Sequence, residues 1–258
     1  MQAPLRLLSE ALQPALDLVY PPRCPSCGEA VADQTGLCLD CWSALEFPPE
    51  PACRACQRSV AADDQLCGAC AAASPRWQSL NAAVVYNDAS RKLVLAFKHG
   101  GRIALAAMMA RLMARRLPEG DALIVPVPLH RTRIWRRGYN QSALLAGELG
   151  KLSSRTVLPD VLLRTRRTRS LGGLTGKARA RELEGAIALT RSGKRRIEGR
   201  SVVLIDDVLT SGATVAACVD ALRKAGAGPV HVLCFARVAM GKGAETKTPG
   251  AIDPGRFA

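Results

Sequence analysis

From about Asn81 the chain alternates short, wholly apolar runs with longer stretches in which apolar residues return every third or fourth position. AAVVY (82–86), DALIVPVPLH (121–130), SVVLIDDV (201–208) and VHVLCFARV (230–238) carry the first pattern and read as buried strands. SRKLVLAFKHGG (90–101), IALAAMMARLMARRL (103–117), SALLAGELGKL (142–152) and TVAACVDALRKAG (214–226) carry the second and read as helices, the last with Val215, Val219 and Leu222 on one face. Gly226 stands where that helix needs a carboxyl cap, and Lys224 suits its dipole. Strands alternating with helices predict an α/β domain over 80–239, a parallel sheet covered by helices on both faces. RTRIWRRGYNQ (131–141) reads as a loop within it. Ahead of this domain, Leu5, Leu8, Leu12, Leu16 and Val19 recur at helical spacing, so 1–22 reads as an amphipathic helix. Glu10 and Asp17 interrupt it and no small-residue cleavage site follows, which argues against a signal peptide. Residues 240–258 show no periodicity and are expected to be disordered.

Between these segments, 23–75 follows another rule. Eight of the ten cysteines form four Cys-x-x-Cys pairs: Cys24/Cys27, Cys38/Cys41, Cys53/Cys56 and Cys67/Cys70. Cys24 to Cys53 and Cys38 to Cys67 are each 29 positions, so one unit occurs twice. Four thiolates from two such hairpins satisfy one tetrahedral zinc, which predicts a double zinc ribbon holding two structural Zn2+ ions with no open position for water. Sequential pairing is expected, with Cys24, Cys27, Cys38 and Cys41 on one ion and Cys53, Cys56, Cys67 and Cys70 on the other; an interleaved pairing fits the spacing as well. A disulfide framework is the alternative chemistry, and the lack of a secretion signal argues for reduced thiols. Cys218 and Cys234 fall in a helix and a strand of the later domain and read as small core residues.

The richest chemistry lies in VVLIDDVLTSGAT (202–214). Asp206 and Asp207 follow the apolar run, at the strand end where open α/β sheets place ligands. Thr210, Ser211, Gly212, Ala213 and Thr214 then form a small hydroxyl-bearing turn opening a helix, whose free amides suit an anion. Carboxylates for sugar hydroxyls and amides for a phosphate thus stand one turn apart.

Charge sharpens this picture. The chain carries a formal +14, yet residues 1–80 sum to −4, and 131–200 hold 18 basic against five acidic residues. Such clustering favours a polyanionic partner. Three stretches supply it. Lys98 and Arg102 flank two glycines in FKHGGR; Arg136, Arg137, Tyr139 and Asn140 lie in RTRIWRRGYNQ beside Trp135; and RTRRTRSLGGLTGKARAREL (164–183) sets Lys177, Arg179 and Arg181 after a glycine-rich centre, like a mobile lid. Lys98, Arg102, Arg136, Arg137, Tyr139 and Asn140 are the candidates for gripping a pyrophosphate, and basic residues interleaved with aromatics also suit single-stranded bases.

The string of four apolar residues, two acids, two variable residues, then Thr, Ser and Gly resembles the phosphoribosyl-pyrophosphate (PRPP) motif of type I phosphoribosyltransferases. That resemblance implies that Asp206 and Asp207 hold the ribose hydroxyls and that Thr210 to Thr214 wrap the 5-phosphate, with Mg2+ accompanying the pyrophosphate. The Cys knuckles, FKHGGR, PVPLHRTRIWRRGYNQSALLA, the basic RTRRT stretch and VVLIDDVLTSGAT occur in the same order in the ComF family, also called GntX-like. From about Leu5 to Arg237 the chain is similar to that family, which joins a zinc-binding segment to a phosphoribosyltransferase-fold domain and is associated with natural transformation. It departs from the family at Leu171, where Gln is usual, and at Glu182, where Asn is usual.

Two functions follow as expectations. One is a cytoplasmic PRPP-binding protein, with pentosyl transfer to an unidentified acceptor, supporting DNA uptake or nucleic-acid metabolism. The other is a non-catalytic module that keeps the fold while binding single-stranded DNA or a protein such as a competence helicase or uptake-machinery component. No run approaches the roughly 18 uninterrupted apolar residues of a membrane span, and mean hydropathy is near zero at +0.05.

Overall fold

The computed structural model describes residues 21–32, 36–62, 65–73, 75–99, 101–166 and 185–238. The expected helix over 1–22 (but for its last two residues), the tail at 240–258, and the lid beyond Arg166, with Leu171, Lys177, Arg179, Arg181 and Glu182, lie outside the described residues.

Four strands form the central sheet: β1 (Ser79–Val85), β2 (Leu123–Pro126), β5 (Val202–Leu209) and β6 (Val230–Arg237), in the order β1-β6-β5-β2. Every pairing is parallel, with Leu204 opposite Val232 and Val125 opposite Leu204. Residues 202–205 are all buried, as their unbroken apolar run requires of a strand covered on both sides. One face is packed by helices α3 (Asp88–His99), α4 (Leu105–Ala114) and α6 (Gln141–Ser153) through Phe97, Met109, Met113, Leu145 and Leu149. The other is packed by α8 (Ala213–Lys224) through Val215, Cys218, Val219 and Leu222, with Val161 and Ile197. Sheet and helices therefore have the phosphoribosyltransferase-type α/β architecture expected.

Two parts differ from the sequence reading. RTRIWRR is not loop but helix α5 (Arg131–Arg137). His130 caps its start, with Nδ1 accepting from the Thr132 amide, and Gly138 ends it at φ +81°, where a side chain would be strained. A second, antiparallel pair, β3 (Leu162–Arg164) with β4 (Ile187–Leu189), and helix α7 (Arg191–Ile197) intervene before β5. Three-residue strands leave too short a pattern to be read in advance.

The 29-residue sequence repeat is also a repeat in space. Arg23 bridges Ala30 and Ala52 bridges Ser59; the Cys24 amide donates to the Glu29 carbonyl and the Cys53 amide to that of Arg58, both at 2.7 Å. Short helices α1 (Leu39–Ser43) and α2 (Gly68–Ala73) close the two units. The ribbon then lies along the free edge of β1, where the Leu80 amide donates to the Arg54 carbonyl and the Val85 amide to the Glu46 carbonyl. An edge that would otherwise be open to another chain is covered. Among the described residues, no helix is long and apolar enough to cross a membrane.

Candidate functional site

Asp206 and Asp207 lie inside β5, at its carboxyl end, with Asp206 opposite Cys234 of β6. Consecutive strand residues point to opposite faces, so the two acids meet different neighbours. Asp206 Oδ1 accepts from the Ser142 hydroxyl at 3.0 Å and from the Asp207 amide at 2.9 Å. Burial, and after it the charge of Asp207, push its carboxyl up to about 7, against the pull of Lys98 and of those hydrogen bonds. Asp207 is 8% exposed and pairs with Lys98 Nζ at 3.1 Å. Lys98 reaches it from the last turn of α3, so the first basic stretch meets the acid pair directly.

The turn after β5 carries the groups expected to meet an anion. Gly212 is the amino-terminal cap of α8 at φ +73°, and no side chain caps that helix. No hydrogen bond to a described residue engages the amides of Ser211, Gly212, Ala213 or Thr214. Thr210 and Ser211 are exposed. A left-handed glycine amid amides without partners among the described residues has the concave form that suits an anion, and only Thr210 and Ser211 separate it from the strand that carries the acids.

The remaining candidates divide by what they touch. The charges of Arg137, Lys98 and Arg136 are all felt at His99, whose pKa falls first through burial and then through these three cations. Arg102 instead donates to the Pro25 carbonyl at 2.8 Å, joining the loop after α3 to the first ribbon unit. The Tyr139 hydroxyl donates to the Phe97 carbonyl and its ring packs on Phe97 at 6.1 Å, fixing the end of α3. Asn140 caps α6: Oδ1 accepts from the Ser142 amide and Nδ2 donates to the Val127 carbonyl at 3.1 Å. Tyr139 and Asn140 thus hold the end of α3 that carries Lys98 and the start of α6 that carries Ser142.

Three residues at the site were not singled out from the sequence. Ser142 looks like any helix-opening serine; only the fold brings it to Asp206. Arg164, read as one of several lid arginines, lies on β3 near Asp206, its pKa lowered first by burial and then by Arg133. Trp77 stands behind the turn: a Cβ at Gly212 would lie 3.6 Å from its Cη2. Cys218 and Cys234 are buried nearby, their thiols pushed well up by burial and the Asp206 charge, as suits core residues without chemistry.

In the ribbon, the sulfurs of Cys24, Cys27, Cys38 and Cys41 lie within 4.8 Å of one another, as do those of Cys53, Cys56, Cys67 and Cys70. Tetrahedral zinc with bonds of about 2.3 Å spaces its sulfurs by roughly 3.8 Å, so each set fits one ion. The pairing is sequential, not interleaved. Burial disfavours the Cys24 thiolate, but the amides of Cys38, Cys27 and Ser26 outweigh it and bring the thiol down to about 6. In the second unit burial likewise opposes, and the amides of Cys67, Ala55 and Cys56 bring Cys53 down to about 7. Both units therefore form four-cysteine zinc sites in which backbone amides support the bound thiolates.

Comparison with known proteins agrees with this division. A double zinc ribbon domain family matches residues 15–71, and a phosphoribosyl transferase domain family matches residues 105–253. The DNA utilization protein YhgH of Salmonella typhi is 34% identical over 223 residues, spanning 83% of this chain and 89% of its own. Competence protein F of Haemophilus influenzae is 33% identical over 181 residues, 66% of this chain and 77% of its own. Among solved structures, adenine phosphoribosyltransferase from Thermoanaerobacter pseudethanolicus aligns with a TM-score of 0.33 at 15% identity, over 50% of this chain and 77% of that one. Two thiolate clusters built from one repeated unit, followed by an acid pair and a glycine turn at the end of a parallel strand, accord with the domain matches and with these two sequence relatives: the chain belongs to the ComF family of double zinc ribbon phosphoribosyltransferase-domain proteins.

Proposed function

We propose that the chain binds PRPP, or a closely related phosphoribosyl ligand, with Mg2+, and does so in the cytoplasm in support of DNA uptake or utilization. The observation that carries this reading is the meeting, at the end of one strand, of a carboxylate pair, a lysine 3.1 Å from it and a left-handed glycine turn with free amides. Asp206 and Asp207 offer acceptors to the ribose hydroxyls, the amides of residues 211–214 enclose the 5-phosphate, and Lys98, Arg136 and Arg137 face the pyrophosphate. Hard carboxylate oxygens suit a magnesium-bound pyrophosphate. Were transfer to occur, the C1–oxygen bond to pyrophosphate would break as an acceptor bonds to C1, and these cations would stabilise the departing charge. The names of the relatives, DNA utilization and competence proteins, support the biological setting.

A second reading, single-stranded DNA on the same protein, is favoured by Trp135, which is 94% exposed on α5 among Arg131, Arg133, Arg136 and Arg137. An aromatic face standing free amid cations suits base stacking. Calorimetric titration with PRPP and Mg2+ tests the first reading. Binding is expected for the native chain and not for the variant carrying Asp206→Ala with Asp207→Ala. Equal heats from both proteins would refute the assigned site.

A further inference from the structure

We propose that Trp77 and Arg237 are positioning residues that tie the ligand turn at 210–214 to the second zinc knuckle, so that metal at Cys53, Cys56, Cys67 and Cys70 sets how firmly the turn presents its amides; the ligand side of this inference rests on the reading of that turn as a phosphate seat.

The knuckle projects three successive carbonyls at the α/β domain. Arg54 O accepts from the Leu80 amide at 2.7 Å, Ala55 O from the Trp77 indole at 2.9 Å, and Cys56 O from the Arg237 guanidinium. Their direction follows from the fold of the knuckle about Cys53. The Ala55 amide faces the Cys53 sulfur, and the amides of Cys56 and Gln57 donate to the Cys53 carbonyl at 3.2 and 2.7 Å. In a planar trans peptide the preceding carbonyl points the opposite way, so amides gathered around Cys53, whose sulfur is one of the four that would hold the second ion, turn the carbonyls of Arg54, Ala55 and Cys56 outward.

The other ends of these bonds reach the turn. The Trp77 ring lies behind Gly212, 3.6 Å from where a Cβ would stand, and packs on the core that includes Leu209. Arg237 is buried on β6 directly opposite Leu209, and the next amide, Val238, donates to the Leu209 carbonyl at 3.0 Å. Leu209 is the last strand residue before the turn. The knuckle thus holds the turn from behind and fixes the strand that leads into it. The first unit reaches the α/β domain elsewhere, through Pro25 and Arg102 beside α4.

Hydrogen exchange on the zinc-loaded full chain tests this, with zinc content assayed and PRPP–Mg2+ titrated in parallel. Trp77→Ala and Arg237→Met should keep two ions per chain, one for each four-cysteine set. They should raise exchange by about ten-fold at Ala216, whose amide donates to the Gly212 carbonyl at 2.8 Å, and weaken PRPP by about ten-fold, the loss of one hydrogen bond of about 1.4 kcal/mol. Trp77→Phe, which keeps the ring and loses the bond to Ala55, should show the same local change in smaller measure and serves if Trp77→Ala unfolds. Arg23→Met, confined to the first unit, should leave exchange at Ala216 as in the native chain. Native exchange at Ala216 in zinc-retaining Trp77→Phe and Arg237→Met overturns the tether. If exchange rises while the native chain gives no heat with PRPP–Mg2+, the tether stands and the ligand reading falls.

Discussion

Replacing Asp206 by Asn should make the ligand-free protein more stable above neutral pH while impairing the site. Lys98 pairs with Asp207 at 3.1 Å, and its pull on Asp206 is outweighed by burial and the neighbouring acid. Burial and the neighbouring acid raise its pKa to about 7 in the folded chain, against about 3.9 when unfolded. A raised pKa means the folded state holds the proton more tightly. The carboxyl's stability is therefore fully present below the unfolded value and is lost as pH climbs through the folded one. A ten-fold difference in proton affinity is worth about 1.4 kcal/mol, and integration between about pH 5.5 and 8 gives a loss of roughly 2 kcal/mol. Asn keeps an oxygen that can accept from Ser142 and from the Asp207 amide but carries no charge, so its stability is spared this loss. Denaturant titrations of zinc-loaded native and Asp206→Asn protein across that range should show the gap in unfolding free energy widening with pH in favour of the variant. Taking the difference cancels groups that titrate alike in both, including the thiolates. A gap that stays constant, or that narrows toward pH 8, would show that Asp206 is not held against its own charge.

Trp135→Ala should weaken single-stranded DNA by roughly 1–3 kcal/mol with an unchanged salt slope and melting temperature, since the ring is 94% exposed; undiminished affinity in filter binding would remove Trp135 from the interface. Gly150→Ala would place a Cβ 2.3 Å from Val157 Cγ2 and 3.3 Å from the Arg155 carbonyl, a clash costing roughly 1–3 kcal/mol that calorimetry should register as a lower melting temperature without loss of zinc. Chelation should release the metal and free the amides of Leu80 and Val85 on the β1 edge, at about 1 kcal/mol per lost bond. Light scattering should then rise, and a chelated chain with unchanged scattering and an unaltered melt would contradict the covering role of the ribbon.

Much of this architecture was legible because its signals are local. Val202 to Ile205 read as a buried strand, Gly212 and the small residues around it as a turn opening a helix, and the 29-residue spacing of the cysteines divides the ribbon into two units. What stayed hidden depends on distance or on very short segments. RTRIWRR looked like a loop because charge masked a helix that His130 and Gly138 delimit at its two ends. Ser142 and Asp206 are 64 positions apart, and Arg237 and Cys56 are 181 apart. No periodicity reports such meetings; they exist only once the sheet has set β5 and β6 side by side. Tyr139 and Asn140 show the converse, because their chemistry suggested a ligand while their contacts go to the Phe97 and Val127 carbonyls.

The two ribbon units also differ in one backbone detail. Where the first has Gly28 at φ +83°, the second has Gln57 at φ +52° in the matching place. A duplicated peptide has been put to two uses, one copy abutting the loop beside α4 and the other abutting β1 and β6. Equivalent positions in the copies therefore have inequivalent surroundings, and a substitution harmless in one should not be assumed harmless in its twin.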